Sequence, residues 1–301
     1  MAALNLGRAL LLACKQGELA DVKACTARLL AMPDAKDTHP PIKLAMGAAA
    51  YVGQTDTLRY LIASLPRDHW RGCSGPWDPR IFHTSTYDQG PPEWYPATLS
   101  DYVVYKAAAG GSPSVMQVLI DAGLGLNHEV EHMGSPLGIA ITNGKLNLIR
   151  FLLAKGADPN NLYPSPRVSL LYMAALCRST VIMQLLLDHG ATIRGSEALA
   201  GAAEAGCIEA AALALESGAD VNEVLYVYNS GEDEDADGTA LHAAVQHEQE
   251  AMVEFLLRRG ARQDLLHIFE PTVKELAARI GNARIIRLLE QYEPSEPEKP
   301  L

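Results

Sequence analysis

No apolar run in this 301-residue chain reaches the ~18 residues needed to cross a bilayer, so no membrane span is expected. The nearest thing to a secretory leader is Ala-Leu-Leu-Leu-Ala-Cys at 9–14. Lys15 ends that run and no small-residue cleavage site follows, so no leader is expected either. Cysteine is sparse. The five residues Cys14, Cys25, Cys73, Cys177 and Cys207 are odd in number, widely spaced and contain no Cys-x-x-Cys. That pattern is against a disulfide framework or a zinc ribbon and favours small buried thiols in a reducing compartment, the cytosol or nucleus. Positive charge is in the minority, 25 Lys and Arg against 36 Asp and Glu, for a net −11. A phosphate backbone would be repelled, so no nucleic acid is expected as a partner. Neither a phosphate-cradling Gly-x-x-x-x-Gly-Lys-Ser/Thr nor a Gly-x-Ser-x-Gly elbow occurs. No catalytic residue, cofactor or metal is therefore assigned.

A recurring phrase fills the space these absences leave. Leu-Leu-Ala-Lys-Gly-Ala-Asp-Pro-Asn at 152–160 returns as Leu-Leu-Asp-His-Gly-Ala-Thr-Ile-Arg at 186–194 and Leu-Leu-Arg-Arg-Gly-Ala-Arg-Gln-Asp at 256–264. A shifted copy, Ala-Leu-Glu-Ser-Gly-Ala-Asp-Val-Asn, occupies 214–222. The first steps between Gly123, Gly156 and Gly190 are 33 and 34 residues, the period of a stacked-repeat architecture. Each unit then touches only its neighbours. Residues 134–160 show how one unit is built. Pro136 suits a first helical turn, where its missing N–H costs nothing. Leu137, Ala140 and Ile141 form one apolar stripe, ended by Gly144. Leu146, Ile149, Leu152 and Leu153 form a second, closed by Gly156, and Asp158 and Asn160 turn the chain outward.

Helix, tight turn, helix and outward loop at this period resemble the ankyrin-repeat family. Its Thr-Pro-Leu-His-x-Ala-Ala opening is matched by Thr239-Ala-Leu-His-Ala-Ala-Val245 and, degraded, by Ser135-Pro-Leu-Gly-Ile-Ala140. Its Ala-Ala-x-x-Gly signature is recognisable at Ala13-Cys-Lys-Gln-Gly17, Ala107-Ala-Ala-Gly110, Ala202-Ala-Glu-Ala-Gly206 and Ala277-Ala-Arg-Ile-Gly281. Arg178 and His247 are read as replacing the inner glycine. The resemblance implies an all-α solenoid of about eight helix-turn-helix units with finger loops. They lie near 4–30, 41–65, 101–127, 134–160, 168–194, 196–222, 238–264 and 271–292, with a disordered tail at 293–301. Spacing departs from the period three times. Gly53 to Gly110 is 57 residues, Gly206 to His247 is 41, and Arg178 to Gly206 only 28. Insertions in a solenoid collect on one face, which is often the binding face.

The longest insertion, 66–97, holds all three tryptophans (Trp70, Trp77, Trp94), with Phe82, Tyr87, Tyr95 and six of the eighteen prolines. Two readings stand side by side: a flap packed on neighbouring units, and an aromatic recognition patch of Trp70, Trp77, Trp94 and Tyr95. The second insertion is an acidic finger at 223–237. Residues 216–237 carry eight acids, among them Glu232, Asp233, Glu234, Asp235 and Asp237, and no base. Residues 258–287 answer with seven bases against three acids. Such a run is a solvated face or bait for a basic partner.

Three motifs have weaker claims. His128-Glu-Val-Glu-His132 copies a zinc-protease string, yet it sits in a finger loop and not on the helix that chemistry needs. Asp233-Glu-Asp-Ala-Asp-Gly238 copies half an EF-hand loop, but the twelfth position is Ala244 and not the required acid. Asn222 lies in a phrase resembling the acceptor of asparaginyl hydroxylases and is otherwise a turn residue.

The resemblance implies a non-catalytic adaptor, scaffold or regulatory subunit that binds a protein partner through finger tips and the concave first-helix face. Positions matching the family's contact sites are Lys15, Gln16, Tyr51, Val52, Thr142, Asn143, Glu204 and Gln246. A monomer is expected. The competing expectation is an enzyme or small-molecule-binding accessory factor, with 66–97 lidding a pocket.

Overall fold

The computed structural model describes residues 2–32, 39–64, 100–130, 133–163, 168–228, 234–265 and 272–292. The insertion at 66–97, the acidic residues Glu232 and Asp233, His132 and the tail at 293–301 lie outside them. The described residues form eight helix pairs and two short hairpins. Pairs 1 to 4 are α1 (Ala2–Gln16) with α2 (Leu19–Leu30), α3 (His39–Val52) with α4 (Thr55–Ser64), α5 (Asp101–Gly110) with α6 (Pro113–Asp121), and α7 (Pro136–Thr142) with α8 (Leu146–Ala154). Pairs 5 and 6 are α9 (Leu170–Leu176) with α10 (Thr180–Asp188) and α11 (Ala198–Ala205) with α12 (Ile208–Glu216). Pairs 7 and 8 are α13 (Ala240–Gln246) with α14 (Glu250–Arg258) and α15 (Val273–Ile280) with α16 (Ala283–Gln291). The chain divides into two compact units, Met1–Ala157 and Asp158–Leu301.

Within the first unit, α1, α3, α5 and α7 pack in sequence as one row, and α2, α4, α6 and α8 as another. The second unit repeats this with α9, α11, α13, α15 and α10, α12, α14, α16. This is the stack expected from the period, all-α as the resemblance implies. Small residues let the first helices approach closely. In α11, Ala198, Ala200, Ala202 and Ala203 are buried, and a Cβ on Gly201 would meet the Tyr172 carbonyl oxygen at 2.7 Å.

Helix starts follow elementary capping. Ser135 Oγ accepts from Gly138 N at 3.3 Å with Pro136 opening α7, and Ser112 Oγ accepts from Val115 N at 3.4 Å with Pro113 opening α6. Thr272 and Glu275 close a reciprocal capping box on α15. Where the family tetrapeptide survives, His242 Nδ1 lies 3.1 Å from Thr239 N and 3.0 Å from Thr239 Oγ1, pinning the turn before α13.

The inner turn needs one left-handed residue per pair, and here two expectations are corrected. Gly111 (φ 83) takes that role after α5, and Gly110 is the last helical residue, a glycine because a Cβ there would run into the Tyr51 backbone. After α13 the left-handed residue is Glu248 (φ 53), so Glu248 and not His247 stands in for the glycine. Arg178 (φ 58) is the replacement in pair 5, as read from the sequence.

Candidate partner-binding surface

Between the two hairpins' neighbours, asparagines fasten one finger base to the next. Asn160 N donates to Asp158 Oδ1 at 2.8 Å, its Nδ2 donates to Gly190 O at 3.0 Å, and its Oδ1 accepts from Thr192 N at 2.8 Å. Asn222 repeats the scheme with Asp220 Oδ1, Gly260 O and Arg262 N at 2.9, 3.3 and 2.8 Å. The structural role of Asn222 is thus a double clamp across adjacent pairs. Two fingers are antiparallel hairpins. β1 (Leu162–Tyr163) pairs with β2 (Val168–Ser169), and β3 (Leu225–Tyr228) with β4 (Glu234–Gly238), whose register shifts between Leu225 and Tyr226.

β4 carries Glu234, Asp235 and Asp237 of the acidic finger in extended backbone, so residues 234–238 of the EF-hand-like string run as a strand. The shortened connection after α10 holds no strand; its Gly195 N donates to Glu223 Oε1 at 2.8 Å, borrowing a side chain from the following finger. His128 of the protease-like string has Nε2 at 2.8 Å from Asp101 Oδ1, which commits the ring to the start of α5. Among the described residues no cluster of His, Cys, Asp or Glu is arranged to hold a metal. No helix among them is long and apolar enough to cross a membrane.

The positions singled out on the first helices fall at corresponding places. Lys15 and Gln16 are exposed at the end of α1, Tyr51 and Val52 at the end of α3, and Asn143 at the cap of α7 beside the half-buried Thr142. In the second unit Glu204 ends α11 half-buried and Gln246 ends α13 exposed. Thr142 Oγ1 and Asn143 Nδ2 both donate to Ile139 O, at 2.9 and 2.8 Å, so these two also finish their own helix. Glu204 is bound on both sides: Tyr172 OH donates to its Oε2 at 2.5 Å and His247 Nε2 lies 3.7 Å from its Oε1. Trp70, Trp77, Trp94 and Tyr95 lie outside the described residues.

Residues not singled out from the sequence join this surface. Lys106 Nζ stands 5.7, 5.5 and 5.5 Å from the ring centres of Tyr51, Tyr102 and Tyr105, a distance at which a cation is attracted to the ring face. Burial raises the pKa of Tyr102 above the ordinary phenol value. Leu12 and Leu44 add exposed apolar area on α1 and α3. The signal was present as Asp-Tyr-Val-Val-Tyr-Lys at 101–106. It reads as an ordinary amphipathic helix until α3 is seen to bring Tyr51 alongside. For a small molecule, the described residues offer an open depression of about 440 Å³ lined by Arg194, Gly218, Ala219, Asp220 and Glu223.

A family model described as ankyrin repeats (many copies) matches residues 201–257, and a single ankyrin-repeat model matches 132–161. Ankyrin repeat and SOCS box protein 14 of Mus musculus is 35% identical over 99 residues, 30% of this chain and 16% of that protein. Ankyrin repeat and SOCS box protein 11 of Homo sapiens is 29% identical over 120 residues, 38% of this chain and 36% of that protein. The chain thus spans 16 to 36% of the length of these curated relatives. The crystal structure of the human ASB11 ankyrin repeat domain superposes with a TM-score of 0.52 at 24% identity, covering 65% of this chain and 86% of that one. That likeness concerns the fold.

Proposed function

We propose, from the premise that the chain carries ankyrin repeats at 132–161 and 201–257, a class of protein-interaction modules, that it is a non-catalytic adaptor or scaffold. In this reading a partner protein lies along the exposed ends of the first helices and the finger hairpins. The observation that carries it is the alignment of Lys15, Gln16, Tyr51 and Val52 at matching ends of α1 and α3, exposed although the same helices bury Leu10, Met46 and Ala49 completely. Nothing in the packing of a stacked repeat requires a tyrosine and a valine in water at that place. The relatives' names join ankyrin repeats to a SOCS box, so their repeats are one module of a larger protein. That supports the adaptor reading over a catalytic one. The proposal includes the cytosol or nucleus as the site of action, on the scattered thiols, and a monomeric chain.

Affinity purification with mass spectrometry tests it, comparing three forms shown by circular dichroism to be equally folded. They are the intact chain, a Tyr51→Ser/Gln246→Ala variant, and a chain whose residues 68–95 are replaced by a Gly/Ser linker. Partners lost with the first-helix substitutions support the proposal. Partners lost only with the linker move recognition to the aromatic insertion, and no partner from any form removes the adaptor reading.

A further inference from the structure

Four of the seven large apolar side chains exposed among the described residues sit on two neighbouring helices, α1 and α3. They are Leu12 at 55%, Leu44 at 49%, Tyr51 at 52% and Val52 at 50% exposure. Helical spacing puts them in stripes: Arg8, Leu12, Lys15 and Gln16 on α1, Leu44, Tyr51 and Val52 on α3, and Tyr102, Tyr105 and Lys106 on α5. The opposite sides of the same helices hold the core, with Leu6, Leu10, Ile42, Met46, Val103 and Val104 buried. The stripes therefore form one face over three successive pairs of the first unit.

Its charge runs against that of the whole chain. The described helices α1, α3 and α5 carry Arg8, Lys15, Lys43 and Lys106 against Asp101 alone, in a protein of net charge −11. Asp101 is engaged by His128. Lys106 is held among three tyrosine rings from two helices, and no described carboxylate pairs with it, with Arg8 or with Lys15. Tyrosine faces attract an ammonium by only ~0.5–1 kcal/mol at an exposed site. A carboxylate approaching over that partly desolvated ammonium gains a charge-assisted hydrogen bond, and a basic group is repelled.

We infer that this face of α1, α3 and α5 docks a segment of a partner protein in which Asp or Glu alternate with large apolar side chains. Carboxylates would meet Lys106 and Lys15, and apolar groups would cover Leu12, Leu44, Tyr51 and Val52. The inference rests on the interaction-module reading above and adds the chemistry of the partner to it. We assign the acidic segment to a partner protein; a second copy of this chain, whose residues 216–237 carry eight acids and no base, is a competing source that the test separates.

The probe is a random-peptide library displayed on phage, panned against the full chain and counter-panned against the Lys106→Glu/Tyr51→Ser variant. Selected peptides enriched in Asp and Glu together with Leu, Phe or Trp are expected. A fluorescein-labelled member should bind about tenfold or more weakly to Lys106→Glu, a loss of ~1.4 kcal/mol, and lose affinity as salt rises. Arg59→Glu on α4, outside this face, should leave binding unchanged. Basic or uncharged selected peptides, or affinity indifferent to Lys106→Glu, would overturn the inference. Concentration-dependent dimerisation lost in the same variant would overturn it in favour of self-association. If natural partners are still lost with Tyr51→Ser while the selected peptides are basic, the adaptor reading survives and only the acidic chemistry fails. Thermal melts of each variant, and the conservative Lys106→Arg retaining affinity, separate misfolding from lost recognition.

Discussion

Asn160 and Asn222 each satisfy one backbone carbonyl and one backbone N–H of the following pair while ordering their own turn. Such side-chain bonds contribute about 0.5–1.5 kcal/mol each, and losing one partner strands the other. Asn222→Ala should lower unfolding free energy by about 1–2 kcal/mol, read as a shifted urea midpoint with unchanged slope. An effect below the error of the midpoint would mean water replaces the amide fully. Cys14 gives a pH prediction of definite sign. Burial chiefly, with Cys25 nearby, pushes its thiol up from 9.0 to about 12. The folded state then holds this proton more tightly than the unfolded chain does. Its stabilisation is complete below pH 9, the unfolded value, and is lost as pH rises toward 12. Urea midpoints should fall through that alkaline window, and Cys14→Ala should flatten the fall although it is less stable at neutral pH.

At the scale of the helix pair, the inner turn shows a local rule broken at a calculable cost. Left-handed backbone costs a non-glycine residue roughly 1–2 kcal/mol, and Arg178 bears it at φ 58 with no side-chain bond to another described residue in return. Glycine there would restore an unstrained turn but add about 0.5–1 kcal/mol of unfolded-state entropy. The first effect is larger, so Arg178→Gly should raise stability by about 0.5–1 kcal/mol, measured by chemical denaturation. Glu248 offers the contrast: its Oε2 accepts from Asn282 Nδ2 at 3.2 Å, linking pair 7 to pair 8, so the same replacement there gains less. Helix pairing was legible because its signals are local: apolar stripes, Ser-Pro starts and glycine stops. The one-residue misplacement at Gly110 and His247 arose where signals conflict. Ala-Ala-Ala-Gly-Gly at 107–111 offers two glycines; the two-residue gap after Ala107-Ala108 points to Gly111, and the close approach of the Tyr51 backbone shows why the first is glycine as well.

Within each unit the row of first helices was legible from the period, and with it the placing of Lys15, Gln16, Tyr51 and Gln246 at first-helix ends. The tyrosine setting of Lys106 was not, because Tyr51 is 55 residues away and only stacking brings it to α5. In a protein whose packing is between successive pairs, damage should also travel by neighbours. Leu241 tests this inside the second unit. It is fully buried in α13, which packs on α11 before it, α15 after it and its own partner α14. Leu241→Ala should cost about 2–5 kcal/mol, the usual price of an unfilled core leucine. Hydrogen exchange should then accelerate first in α13 and α14, next in α11, α12, α15 and α16, and least in α9 and α10. A graded profile of that kind is what nearest-neighbour coupling dictates, since opening pair 7 removes one interface from each adjoining pair and none from pair 5. Equal acceleration through all eight helices of the unit would mean that it unfolds as one cooperative block, with coupling between pairs stronger than the stability of any single pair.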